Sequence, residues 1–360
     1  MLYTHVRNYG CRLNVDLKYK GLRLGVLENE YLKITVVIDR GSDIMEFLYK
    51  PLDVDFMWLS PWGIRDSAKF IPSISSTNGN FMDYYAGGWQ EIIPNFGNAT
   101  KIGEVEYGQH GEVSLIPWDY KVVEDHPSTV SLQLQARTYR APFYIEKTLT
   151  LKTEDPRLYI QEKIKNEGHA IAELVWAHHP AFGKIFLNQE TVINIPKNKV
   201  KFLLQEDGPL NKEKLQTLAW PMLKGYHNQE VDFSKPPLEE DHNHYVDEVC
   251  LGNLNDSWFS ITNQKKGIGF GMRWEKEVFP YLWIWRMYGK GSKQPPWWGR
   301  VNCFAIEPVS SLAPYGLASA MGNQTSIKLQ PQQEIHSSLL AVCYRKKEQV
   351  RGIDQLGNVF

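Results

Sequence analysis

Three runs of alternating residues constrain this chain more than any other feature. Val130, Leu132 and Leu134 are apolar while Ser131, Gln133 and Gln135 are polar, and the pattern returns over Tyr144–Leu151 and Leu158–Ile164. Successive side chains of a strand point to opposite faces, so such a run buries one face and wets the other. Asp155-Pro156 and Asn166-Glu167-Gly168 supply turns that bound the runs. Short alternating strands joined by turns predict an antiparallel meander, the unit from which β-sandwiches are built. No long helical periodicity competes, and the predicted class is all-β.

Further strands are predicted on both sides of the meander. Leu32–Ile38 turns through Asp39-Arg40-Gly41-Ser42-Asp43 into Ile44–Tyr49, a hairpin pattern. A looser region from Ser60 to Gly79 leads into Gly87-Gly88-Trp89-Gln90-Glu91, whose glycines suit close backbone approach. That stretch is no phosphate-cradling loop, because the GK[ST] ending is missing. Strands return at Val249–Leu251, Trp258–Ile261, Gly267–Met272, Tyr281–Trp285, Cys303–Pro308 and Ser337–Cys343. Between Leu187 and Pro237 the pattern blurs and reads as surface insertions, with a short helix near Asn211–Leu218. The expected organisation is one domain over 1–360, opened by an N-terminal hairpin extension.

Lys+Arg number 40 against 41 Asp+Glu, and no basic run stands out, which argues against nucleic acid or an anionic membrane as partner. The 12 Trp and 18 Tyr suit sheet packing and also stacking on the apolar C–H faces of sugar rings. Cys11, Cys250, Cys303 and Cys343 are widely spaced and show no zinc-finger pattern, so reduced thiols are expected. Met1–Arg7 has no apolar signal core and no stretch is long enough to span a bilayer, so the expected location is cytoplasmic.

Titratable groups occupy three places where the patterning predicts burial. One is His178-His179, after the apolar Val175-Trp176-Ala177 and before Pro180 and Gly183, which are read as the turn that ends the strand. Adjacent residues of a strand face opposite ways, so without a bulge only one imidazole can line a given cleft. The second is His110, between Gly108 and Gly111; the third is Glu307, at the end of Phe304-Ala305-Ile306 and before Pro308. A buried carboxylate must be paired, hydrogen-bonded or functional, and imidazole titrates nearest neutrality. Each place also has a purely structural reading, as a satisfied histidine or a solvent-facing strand end. His242, His244 and Glu248 have the HxHxxxE spacing of a cupin metal site, but Pro236 and Asn255 stand where flanking glycines belong, and a solvated loop competes with the metal reading.

His110 in a His-Gly context, His179 in a His-x-x-Phe context and Glu307 in an Ile-Glu-Pro context follow the order and approximate spacing of the galactose mutarotase-like (aldose 1-epimerase) superfamily, which the chain resembles as an outlying branch. Leu27–Glu30 with its following strand and Gly41 resembles the family's opening hairpin, and Leu329–Glu334 the polar turn before its last strand. The resemblance implies a large antiparallel β-sandwich that interconverts the anomers of a free aldose. It makes Glu307 the base for the anomeric hydroxyl, His179 the acid for the ring oxygen, and His110 a hydrogen-bonding group near that oxygen. No cofactor is required, because only protons move. Asp247, Glu91 and Trp285, with His178 beside the acid, are the residues chosen to contact the sugar. The partner is then a small-molecule sugar, with a homodimer as the assembly left open. Ala181 replaces the family's aromatic, Gly183 stands where asparagine is common, and the arginine expected before the first histidine has no counterpart, which argues against a phosphorylated substrate. The competing reading is a carbohydrate-binding protein of the same fold without catalysis.

Overall fold

The computed structural model of the chain describes residues 7–66, 77–196, 199–205, 216–224, 230–236, 246–287, 293, 295–312 and 315–360, with the backbone alone for 77–80, 199–205, 216–219, 223–224 and 246–247. The meander forms where the alternation places it. Thr129–Arg137, Phe143–Lys152 and Arg157–Asn166 pair antiparallel in succession, and Leu132, Leu149 and Ile160 share one register row and are buried. The Glu334–Tyr344 strand adds to the far side of this meander and carries Ile268–Trp274, Trp258–Asn263 and Thr191–Asn194 beyond it, giving an eight-stranded sheet.

A second sheet of thirteen strands among the described residues covers its apolar face. At its centre lie Asp43–Tyr49, Trp89–Ile92, Ala177–Gly183, Cys303–Val309, Tyr281–Met287 and Val246–Gly252, in that spatial order. Phenylalanines join the layers: Phe270 of the first sheet sits 5.2 Å from Phe182 and 5.3 Å from Phe47 of the second, ring centre to ring centre. Each such fully buried ring contributes about 2–3 kcal/mol through apolar area removed from water. The architecture is a large antiparallel β-sandwich. Among the described residues no helix is long and apolar enough to cross a membrane.

The structure corrects four expectations. Pro180 lies inside its strand, which runs from Ala177 to Gly183. On the Cys303–Val309 side the strands pair at Ala177↔Val309 and again from Ala181↔Ala305, and Pro180 and Pro308 fall in the interval. Neither proline has an N–H to donate, so the two strands run side by side there with a broken ladder. The region 187–237 is more than surface insertion, since Thr191–Asn194 and Lys199–Gln205 each join one of the large sheets. Gln216–Ala219 is strand where the end of a short helix was expected, and 211–215 lie outside the described residues. The loose 60–79 region instead leads into a short helix at Thr77–Tyr84.

Candidate active site

The interrupted ladder is where the chemistry gathers. The register on either side of the gap sets His179 opposite Glu307, so their side chains leave the sheet on the same face. His179 Nε2 lies 3.4 Å from Glu307 Oε1. That separation exceeds the usual ~2.9 Å of an N–H···O bond and leaves the two within reach of one shared proton. On its other side, His179 Nδ1 lies 3.5 Å from the Tyr85 hydroxyl. Both groups of the pair are buried, at 4% exposure for His179 and 2% for Glu307.

His110 arrives from a distant loop. Its backbone takes a positive φ of 56°, and its N–H donates to the Gly97 carbonyl at 3.1 Å. The Gly97 N–H in turn donates to His110 Nδ1 at 3.3 Å. An accepting Nδ1 puts the ring proton on Nε2, so His110 offers a donor with its other nitrogen. Gly111 makes this seat possible: a Cβ there would meet the Ile93 carbonyl oxygen at 2.2 Å. The His110 ring packs edge-on to His179 with centres 5.5 Å apart.

Aromatic rings wall the cluster. Phe81 and Phe96 lie 4.6 Å and 5.4 Å from His110, and Trp285 lies 5.9 Å from His179. Tyr85 contacts Trp58, Trp285 and Trp297. Its loop is fastened from below: Arg40 donates to the Tyr84 carbonyl at 2.7 Å and to Asp43 at 2.9 Å, and Gln90 donates to Asp43 and to the Gly87 carbonyl. Gly87 itself must be glycine, because a Cβ would stand 2.2 Å from the Trp58 carbonyl oxygen.

Burial sets the protonation. It pushes Glu307 well above the usual carboxylate range, with the Glu248 carboxylate adding to the rise. It lowers His179 to about 4, and lowers His110 well below the ordinary imidazole value with a contribution from His179. A charge in a poorly solvated site is expensive, so each group prefers its neutral form. Burial thus favours a pair that holds a single proton, on the carboxyl. Moving it to the imidazole gives the ion pair without changing the proton count. Such a pair can give a proton at one point and take one at another.

The residues chosen from sequence divide between two places. His110, His179, Glu307 and Trp285 come together. His178 and Glu91 do not join them: they sit opposite one another across adjacent strands and project from the other face, into the space between the sheets. There His178 Nε2 lies 3.0 Å from Glu162, Trp89 Nε1 donates to His178 Nδ1, and Lys147 lies 3.3 Å from Glu91. The pleat enforces this separation, since His178 and His179 are neighbours on an unbulged strand. Asp247 is on the Val246–Gly252 strand opposite Arg286, and its side chain is outside the described part. His242 and His244 also lie outside the described residues, and among the described residues no cluster of three His, Cys, Asp or Glu groups could hold a metal. Sequence reasoning missed Tyr85, Trp58 and Trp297. Tyr84-Tyr85 just before Gly87-Gly88, and Trp297-Trp298 just after a Gly/Pro loop, were the available signals.

A family model described as a domain of unknown function (DUF4432) matches residues 19–341. No curated protein sequence matches the chain. Among solved structures, a Klebsiella pneumoniae protein provisionally named an aldose 1-epimerase superposes with a TM-score of 0.69 at 13% identity, covering 95% of this chain and 85% of its own. The Slr1438 protein from Synechocystis gives 0.61 at 14% identity, covering 92% of this chain and 99% of its own. A galactose mutarotase-like protein from Clostridium acetobutylicum gives 0.59 at 13% identity, covering 94% of this chain and 100% of its own. At these identities the likeness is one of fold.

Proposed function

The chain belongs to the DUF4432 family, and from that premise we propose that it is an aldose mutarotase acting on a free sugar. The observation that carries the proposal is the meeting of His179 and Glu307, from strands far apart in sequence, at 3.4 Å on one buried face. In the proposed reaction the ionised Glu307 takes the proton of the C1 hydroxyl, and the electrons of that O–H bond become the second C1–O bond. The C1–ring-oxygen bond breaks, and its electron pair on the ring oxygen takes the proton of the His179 imidazolium. Rotation about C1–C2 and the reverse sequence close the ring as the other anomer. His110 donates from Nε2 to the ring oxygen, and Trp285 stacks on a C–H face of the sugar. One proton leaves Glu307 for His179 as the sugar binds against the pair, so the pair enters the reaction in its ionic form with its proton count unchanged.

The test is anomer exchange across a panel of aldoses, followed by NMR for the wild type, His179→Ala and Glu307→Gln. Acceleration by the wild type that both substitutions abolish is the expected result. A wild type that binds a sugar but accelerates no exchange would place the protein among carbohydrate-binding relatives without catalysis.

A further inference from the structure

Trp283 stands directly opposite Glu307 across the Tyr281–Met287 and Cys303–Val309 strands, so the indole and the carboxylate share a face of the sheet. Its ring centre lies 5.7 Å from Phe96, which lies 5.4 Å from His110, which lies 5.5 Å from His179. With the 3.4 Å approach of His179 to Glu307, these side chains form a run of contacts whose two ends, Trp283 and Glu307, stand opposite one another on adjacent strands. Trp283 is 2% exposed. Its indole N–H has no hydrogen-bond acceptor among the described residues. Three buried indoles in the core between the sheets are satisfied: Trp89 donates to His178, Trp176 to Glu91 and Trp118 to the Val113 carbonyl. A buried N–H without an acceptor is costly, and such groups are rare unless something else meets them.

We propose that the Trp283 indole N–H is a substrate-positioning donor, aimed at the anomeric oxygen that Glu307 deprotonates. The inference rests on the mutarotase reading above. As the C1 hydroxyl loses its proton to Glu307, negative charge grows on that oxygen before the ring bond has fully broken. A fixed N–H donor in a poorly solvated wall stabilises such charge most at that moment, so it acts on the rate more than on sugar affinity. Indole suits the task because it donates only and never competes with Glu307 for the proton. The same chemistry selects for sugars with a free anomeric hydroxyl over their methyl glycosides, which present an ether oxygen and no proton.

The test compares the wild type with Trp283→Phe and with the chain carrying benzothienylalanine at position 283, which keeps the ring system and replaces N–H by sulfur. Anomer exchange on whichever aldose the wild type accelerates best is expected to fall about 10–100-fold in kcat, with KM moving less than about threefold. The benzothienyl protein should melt no lower than the wild type, since it loses a donor that no residue accepts from. Trp283→Phe removes part of the ring and melts lower, and the sulfur isostere keeps the test decisive if that variant folds poorly. A kcat equal to the wild type in the isostere, with the wild type active, overturns the role of Trp283 and leaves the mutarotase reading standing. A lower melting temperature with unchanged kcat overturns it too, by showing that the N–H serves the fold. A wild type that accelerates no aldose overturns the mutarotase reading and this inference with it.

Discussion

The Ala177–Gly183 strand presents two histidines to two different worlds. His178 faces the other sheet among Glu91, Glu162 and Lys147, where its ring is held at both nitrogens. The Trp89 indole can only donate, so His178 Nδ1 accepts and Nε2 carries the proton that goes to Glu162. His179 faces a cluster whose contacts to Glu307 and Tyr85 are 3.4 and 3.5 Å, longer than ordinary hydrogen bonds. Burial lowers both imidazoles to about 4. Exposure and pKa therefore do not tell the structural histidine from the proposed catalytic one. Saturation of the ring does: one side has spent its hydrogen-bonding capacity on the fold, and the other has kept it.

That contrast predicts opposite consequences for stability and activity. His179→Ala and Glu307→Gln should each lower anomer exchange roughly 10³-fold, while melting temperatures by calorimetry stay within a few degrees of the wild type. On the other face, Lys147→Met should destabilise by roughly 3 kcal/mol at pH 9, because it removes the cation beside two buried carboxyls that are ionised there. Burial raises Glu91 to about 7 and Glu162 to about 8. The Lys147→Met loss should accordingly shrink at pH 5, where both acids are protonated, and urea unfolding at the two pH values measures the difference.

His178→Ala should cost about 2 kcal/mol by leaving Glu162 and the Trp89 indole unpartnered, and anomer exchange per folded molecule should change less than about threefold. If exchange falls with His178→Ala as far as with His179→Ala, the division between the faces fails. The pH profile of exchange should be bell-shaped. It should fall as pH drops toward about 4, where His179 takes a second proton into the pair, and fall again as pH rises through the elevated pKa of Glu307, where the pair loses its one proton.

A subtler signature is the pH dependence of stability. A carboxyl whose pKa is raised on folding binds more protons folded than unfolded, so the stability it contributes at low pH is lost as pH rises between its two pKa values. For Glu162 that window runs from 4.5 to about 8. Glu162→Gln should flatten the fall in unfolding free energy across that window. An unchanged slope would mean that the carboxyl is ionised in the folded protein.

Much of the fold was legible because it is written locally. The alternation at Val130–Leu134 records which face of a strand meets apolar surface, and the three-strand meander follows from it. The opposite orientations of His178 and His179 followed from the pleat alone, and the order of His110, His179 and Glu307 from a likeness of short motifs. What the sequence could not decide was which face of the histidine strand met the other sheet. That face took His178 and Glu91 into the core, and it depended on pairings between segments more than a hundred residues apart. Tyr85, Trp58 and Trp297 carry at most a doubled aromatic beside glycines or a loop as a local signal; Tyr85 became a wall of the site because Arg40, Asp43 and Gln90 fasten its loop to the sheet. Strand character is a property of neighbours along the chain, whereas a site is a property of neighbours across it, and only the packed sheets choose those.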